Sequence, residues 1–299
     1  MVKSAGLPPS GNSAENEILI LDSRQTEELL SMREALSVVE NAFRLEARGK
    51  TIMPPKLYLT LPQYQGDFRA MPAYIDDSAG LKWVSVYPDN WKYGLPTVIA
   101  TILLCDPVTG RLLAMMDGTY LTSMRTGAAG GVAVKYLARQ DSSVIGIIGA
   151  GTQARTQLWA ISEVLPAIKE VKVYDKRPEA SQKYAEAMEA RLKLKVRAVA
   201  TIEAAADADI VVAVTPATTP VIRKQHIRSG THINAIGADA KGKEELEPEI
   251  LKTAKLIVDN IVQAAHSGEI NVRISQGVIT VEDIYGTLGD VVTQRKKGG

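Results

Sequence analysis

Apolar positions recur at two different spacings along this chain. The run Ser31-Met32-Arg33-Glu34 has the form of a capping box, in which the serine accepts a backbone N–H three residues on and the glutamate reaches back. Met32, Ala35, Leu36, Val39, Ala42, Phe43 and Leu45 follow at helical intervals, and Gly49 supplies a stop. This spacing predicts an amphipathic helix. Between Met53 and Met116 the pattern changes to strands. Lys56-Leu57-Tyr58-Leu59 alternates, residues 81–87 are rich in β-formers, and residues 97–105 and 111–116 flank a hairpin loop, Asp106-Pro107-Val108-Thr109-Gly110. So much strand without intervening helices predicts an α+β module. Residues 119–138 read as a helix crowded with small side chains (Gly127, Ala128, Ala129, Gly130, Gly131), which allow close backbone approach and predict packing between layers.

The pattern changes again near residues 138–142. Residues 143–148 form a short, continuously apolar strand, and a helix starts at about Thr152. Further strand-like runs lie at 171–174, 196–200, 210–214, 232–236 and 256–258, most of them separated by helical or turn segments such as 180–192. Strand–helix alternation of this kind predicts a doubly wound parallel sheet with helices on both faces. The expected fold class is therefore α/β: a Rossmann-type half preceded by an α+β half.

Composition narrows the function classes. Lys plus Arg number 35 against 34 Asp plus Glu, so the net charge of +1 excludes a strongly basic nucleic-acid binder. One cysteine, Cys105, excludes an intrachain disulfide and fits a reducing, cytoplasmic compartment. No apolar run approaches the ~18 residues of a membrane helix. Residues 1–16 are polar, carry Gly, Pro and Ser, and read as a flexible extension.

The sharpest chemical signal is Gly149-Ala150-Gly151-Thr152-Gln153-Ala154, placed directly after an apolar strand and before a helix. Gly149 permits the sharp turn, Gly151 lets the backbone approach a pyrophosphate, and Ala154 lets the helix pack closely on the strand. The free N–H groups and partial positive charge of the helix start then suit phosphates. Asp175 closes the next strand, 24 residues beyond Gly151, where a carboxylate accepts from ribose hydroxyls. Asp175 favours NAD over NADP, whereas Lys176 and Arg177 keep NADP open.

Other positions admit two readings. Asp239, in Gly237-Ala238-Asp239, is a solvated turn residue or a group at the nicotinamide end of the groove, and Thr215 is a turn residue or a groove wall. Lys82 interrupts an apolar strand and either points outward or works as a buried amine. Arg125 interrupts a helix of small and apolar residues, and its fork suits a carboxylate or phosphate. Lys56 and Arg69 are weaker candidates. His226, His232 and His266 lack metal-type spacing, and Cys105 reads as a small hydrophobe.

Taken together, Gly80-Leu81-Lys82, Arg125-Thr126-Gly127-Ala128-Ala129, Gly149–Ala154, Tyr174-Asp175 and Gly237-Ala238-Asp239 with Gly242-Lys243-Glu244-Glu245-Leu246 resemble the ornithine cyclodeaminase/μ-crystallin family, from about Ile18 onward. The resemblance is strongest to members that oxidatively deaminate L-alanine with NAD. It implies a catalytic role for Lys82 and Asp239, and substrate contacts from Lys56, Arg69, Lys82 and Arg125. It implies cofactor contacts from Arg125, Gly149, Gly151, Thr152, Gln153, Asp175, Lys176, Arg177, Thr215, Gly237, Ala238, Asp239 and Lys243. It leaves open cyclodeamination of L-ornithine to L-proline, reduction of a cyclic imino acid such as pyrroline-2-carboxylate, and non-catalytic NAD(P)H binding. It implies a small amino- or imino-acid ligand, no metal, and a homodimer formed through the first domain. The expected division is a substrate-binding and dimerisation domain over residues 17–138 and an NAD-binding domain over 139–299. Relatives continue past the position of Gly299 through an Asp-Ser-Thr-Gly-like loop and a helix that returns to the first domain, so the expected second domain lacks that return segment.

Overall fold

The computed structural model describes residues 17–298, so the expected extension over residues 1–16 lies outside the described residues. The first half comprises β1 (Leu19–Leu21), α1 (Ser23–Leu29), α2 (Met32–Ala47), β2 (Thr51–Ile52), β3 (Leu57–Leu61), β4 (Gly66–Ile75), β5 (Ser78–Val86), β6 (Val98–Cys105), β7 (Leu112–Asp117) and α3 (Thr119–Leu137). Ser31 and Glu34 close the capping box of α2. The strands form one sheet in the order β1-β7-β6-β5-β4-β2, with β3 also on β4. All neighbours are antiparallel except β1 with β7. Hydrophobic patterning marks this region as strand-rich without isolating β4, because Gly66, Asp67, Arg69 and Pro72 break its apolar rhythm.

The second half comprises β8 (Val144–Ile148), α4 (Thr152–Val164), β9 (Glu170–Tyr174), α5 (Pro178–Leu192), β10 (Lys195–Ala198), α6 (Ile202–Ala206), β11 (Ile210–Ala213), β12 (His232–Ala235), α7 (Pro248–Thr253), β13 (Leu256–Val258), α8 (Ile261–Ser267), α9 (Asn271–Ser275), β14 (Ile284–Thr287) and α10 (Leu288–Val292). Its main sheet is fully parallel, in the order β10-β9-β8-β11-β12. The order reverses between β8 and β11, and that switch point is where such sheets bind ligands.

Alternation along these strands builds two cores. Ile145, Ile147, Val171, Val173, Ile210 and Val212 meet α4 and α5 through Leu158, Ile161, Tyr184 and Met188. Ile148, Val211 and Ala213 meet the opposite layer through Ala205, Ala206, Ile250 and Leu251. Each fully buried aliphatic side chain of this kind contributes roughly 1.5–3 kcal/mol.

Two details depart from the strand–helix reading. The strand over 256–258 does not extend the main sheet but pairs with β14 in a separate two-stranded sheet. The second lies near the end of the expected second domain. Leu288 and Val292 of α10 join Met32, Ala35, Leu36, Met124, Ala128 and Val132 in a third core, so α10 packs on α2 of the first half. The short apolar pattern of α10 gave no hint of its partner. Among the described residues, no helix is long and apolar enough to cross a membrane.

A glycine seam joins the halves. On α3, Gly127, Gly130 and Gly131 lie against Thr156, Gln157 and Ala160 of α4, at distances where a Cβ would collide. The fully buried Gln157 donates to Thr126 O at 2.8 Å, and Asn234 of β12 donates to Gly130 O at 3.1 Å. The expected close packing of the small-residue helix is thus realised against α4.

Candidate active site

Two surfaces face each other across a cleft, one from each half. On the first sheet, Tyr58 pairs with Arg69, Arg69 with Val84, Met71 with Lys82, and Lys82 with Ile102. Directly opposed residues share a face and side chains alternate along a strand. Tyr58, Arg69 and Lys82 therefore emerge on one side, above otherwise apolar neighbours, and Lys56 reaches the same residue of the second half as Tyr58 and Arg69 do. Arg125, on the second turn of α3, lies beside them.

Asp239 is the meeting point. Its backbone carbonyl accepts from Lys56 Nζ (3.5 Å), Tyr58 Oη (3.4 Å) and Arg69 Nη1 (3.4 Å). Its carboxylate accepts from Arg69 Nη1 (2.9 Å) and Lys243 Nζ (2.6 Å). Burial pushes Asp239 up, but Lys243 and Arg69 outweigh it and hold the carboxyl below its ordinary range. Asp239 is therefore an anchored anion rather than a solvated turn residue.

Arg69 is 5% exposed and gripped from both sides. Its Nε and Nη2 donate to Asp67 at 2.6 and 3.1 Å, and its Nη1 to Asp239. Burial disfavours the guanidinium charge, but Asp67 and Asp239 more than restore it. These contacts leave only outer N–H groups of Arg69 for a ligand. Sequence reasoning missed Asp67 and Tyr58. The available signal was their i, i+2 spacing to Arg69 and Lys56, which puts each pair on one strand face.

Lys82 has the opposite environment. Burial first, then the charges of Arg125, Lys56 and Arg69, push its ammonium down to about 6. A free amine is thus available at neutral pH, surrounded by cations. Arg125 is exposed to water yet closely surrounded by protein, and burial lowers its pKa while Asp259 and Asp239 oppose that shift. Asp259, just after β13, is a second acidic neighbour that sequence spacing could not assign to this cleft.

The expected nucleotide cradle lies at the carboxyl ends of the parallel strands. Gly149 adopts φ +101°, and a Cβ there would sit 2.7 Å from Val214 O, so glycine is required. At Gly151 a Cβ would meet no protein atom within 4 Å, so the approach to the backbone is open. Gly151 is also the N-cap of α4 and makes no side-chain capping bond, which leaves the helix start at Thr152 and Gln153 facing that space with free donors. Asp175 accepts from Ala150 N and Arg177 N, both at 2.9 Å, and so braces the turn from the next strand. Lys176 and Arg177 are exposed beside it. Thr215 and Gly237 follow β11 and β12 on the other side of the switch point, Ala238 is buried, and Lys243 reaches back to Asp239. An open glycine cradle with a carboxylate on one side and a cationic sheet on the other fits a dinucleotide lying across the switch point.

This arrangement defines a class: an α/β dinucleotide-binding protein whose cofactor groove opens onto a cation-rich β-sheet. More narrowly, the chain belongs to the ornithine cyclodeaminase/mu-crystallin family, whose model matches residues 16–299. It is 52% identical to an alanine dehydrogenase of Archaeoglobus fulgidus, over 94% of this chain and 86% of that protein. A solved archaeal alanine dehydrogenase dimer with bound NAD superposes with a TM-score of 0.90 at 52% identity, covering 94% of this chain and 86% of that one. A Δ1-pyrroline-2-carboxylate reductase of Thermococcus litoralis, solved with NADH and L-proline, gives a TM-score of 0.91 at 42% identity, over 94% of this chain and 88% of that one. An iminosuccinate reductase of Paracoccus denitrificans in complex with NAD⁺ gives 0.86 at 30% identity, over 94% and 87%.

Proposed function

We propose that this protein is an NAD-dependent oxidoreductase that converts L-alanine to pyruvate and ammonia, reversibly. The observation that carries the chemistry is the placement of Lys82 on the same sheet face as Tyr58 and Arg69, which together with Lys56 reach Asp239 at the edge of the dinucleotide cradle. The similarity to an alanine dehydrogenase over nearly the whole chain supports the substrate.

In this reading Gly149, Gly151, Thr152 and Gln153 hold the pyrophosphate and Asp175 holds the adenosine ribose, flanked by Lys176 and Arg177. Thr215, Gly237, Ala238 and Lys243 line the nicotinamide end. When bound, NAD supplies the acceptor for the hydride that leaves the amino acid's Cα. Arg125 grips the substrate carboxylate, and Lys56 and the outer edge of Arg69 complete the anion site. Lys82 takes a proton from the substrate ammonium. It passes that proton to solvent and, as a free amine again, takes a proton from the water that adds to the substrate imine and gives it to the nitrogen that leaves as ammonia. Asp239, held low by Lys243 and Arg69, stabilises positive charge on the imine rather than acting as the base. Holding these groups at fixed separations removes much of the entropic barrier.

The other face of the first sheet supports a homodimer. Leu57 (68% exposed), Leu59 (49%) and Met115 (38%) lie there with Trp83, which stacks on Phe68 at 5.4 Å. An exposed apolar sheet face of this kind marks an association surface, and a second copy is its proposed occupant. A single cysteine fits a cytoplasmic location.

A second reading, reduction of a cyclic imino acid to an amino acid such as L-proline, is favoured by the likeness to the Thermococcus enzyme. A substrate panel separates the two. NADH absorbance should grow with L-alanine and NAD⁺, with pyruvate as the product. Consumption of NADH on pyrroline-2-carboxylate, with no reaction on alanine, would transfer the assignment. L-ornithine yielding proline without net NADH would mark a cyclodeaminase.

Cofactor choice gives a further expected outcome. Asp175→Ala should raise the kcat/KM ratio of NADP over NAD by about tenfold or more, because a like-charge contact with the 2′-phosphate disappears while Lys176 and Arg177 remain. An unchanged ratio in initial-rate assays would remove Asp175 from the ribose site.

A further inference from the structure

Behind the nicotinamide end of the groove lies a buried carboxylate that the mechanism does not use. Glu245 is 0% exposed. Its Oε1 accepts from the Thr215 N–H at 2.6 Å and its Oε2 from the Gly237 N–H at 2.8 Å. Those two peptides follow neighbouring parallel strands, β11 and β12, where the chain opens into the groove. Gly237 is pressed against this carboxylate: a Cβ would lie 2.5 Å from Glu245 Oε2 and 2.1 Å from Thr215 O.

Glu245 is itself held from behind. The Glu269 carboxylate accepts from the N–H groups of Glu245 (2.8 and 3.0 Å) and Leu246 (2.7 Å). Glu245 O accepts from Val221 N and Ile222 N. Asn271 fixes the middle of the same loop, accepting from Gly242 N and donating to Lys243 O, both at 2.9 Å. The loop that presents Asp239 and Lys243 is thus clamped at both ends and in between, with the Glu245 side chain bridging both strand ends.

We propose that Glu245 is a positioning residue for the reacting half of the cofactor, its carboxylate setting the Thr215 and Gly237 peptides so that the nicotinamide end faces the Lys82 side of the cleft. This rests on the dinucleotide reading above. The adenosine half depends on Gly149–Thr152 and Asp175, and the Glu245 side chain bonds instead to Thr215 N and Gly237 N.

The test compares NADH with ADP-ribose, which lacks the nicotinamide, by calorimetric titration of wild type, Glu245→Gln and Gly237→Ala. The glutamine can accept from one peptide but turns an N–H toward the other. NADH affinity should fall by at least about tenfold, the loss of one charge-assisted hydrogen bond. ADP-ribose affinity should stay within about twofold, since the two peptides that Glu245 holds lie on the nicotinamide side of the groove. KM for NAD⁺ should rise with KM for the amino acid little changed, and Gly237→Ala should show the same split. Equal loss of both ligands, no loss of either, or failure of both variants to fold would overturn the proposal and leave Glu245 a purely structural residue. Failure of the wild-type protein to bind NADH or ADP-ribose would instead sink the dinucleotide reading itself.

Discussion

Replacing Lys82 by methionine is expected to lower amino-acid turnover by about 10²–10⁴ while leaving NADH binding intact and making the protein more stable. The two effects have one cause. Burial and the cations Arg125, Lys56 and Arg69 push the amine from its ordinary 10.5 to about 6. Between those values the unfolded chain binds a proton that the native site refuses, so this site's contribution to stability rises with pH across the interval. Below about 6 the folded protein must carry the charge at full cost, and above about 10.5 the cost is gone. The melting temperature of Lys82→Met should therefore exceed wild type most at acidic pH, with the gap closing toward pH 10.5. The wild-type kcat/KM profile should show an acid limb near 6, from the free-base requirement. Calorimetric scans across pH and a pH–rate profile check both. A variant that is inactive but no more stable than wild type at low pH would show that Lys82 is not held as a strained amine.

The second large effect is expected at the glycine seam. In Gly127→Ala the new methyl would sit 2.6 Å from Thr156 O and 2.7 Å from Thr156 C. These are backbone atoms of α4, so no side-chain rotation relieves the contact. Alanine's better helix propensity returns about 1 kcal/mol, but overpacking of this kind costs typically about 1–3 kcal/mol. The seam also sets function, because α3 carries Arg125 and α4 begins at the Gly151 cradle. Net destabilisation together with a fall in kcat is expected, measured by thermal unfolding and steady-state rates. Gly130→Ala, whose methyl would meet the fully buried Gln157 side chain, should behave alike. Unchanged stability and kcat in both variants would show that the seam is looser than it looks.

Local rules carried the reading of the chain a long way. A strand of uninterrupted Val and Ile with glycine after it means a turn at a parallel strand end, because the period and the φ requirement are both local. Hence the cradle at Gly149–Ala154, the carboxylate at Asp175, the capped helix α2 and the close-packing helix α3 could be read before any fold was known. Lys82 and Arg125 stood out for the same reason, as charges inside apolar runs.

What the sequence by itself determined was therefore the element types, the parallel sheet of the second half and the isolated charges that demand an explanation. Tertiary structure alone decided their partners. Asp239 became an anchored anion because Arg69 joins the nearby Lys243 on its carboxylate while Lys56 and Tyr58 hold its carbonyl, with Arg69, Lys56 and Tyr58 each lying 170 or more positions away in the chain. The packing of α10 on α2 was invisible for the same reason, whereas Asp67 and Glu245 have partners nearby in the chain whose spacing carries no mark of burial. Charge pairing, desolvation and steric fit depend on distance in space, and contacts across a hundred or more residues leave no period in the sequence to betray them.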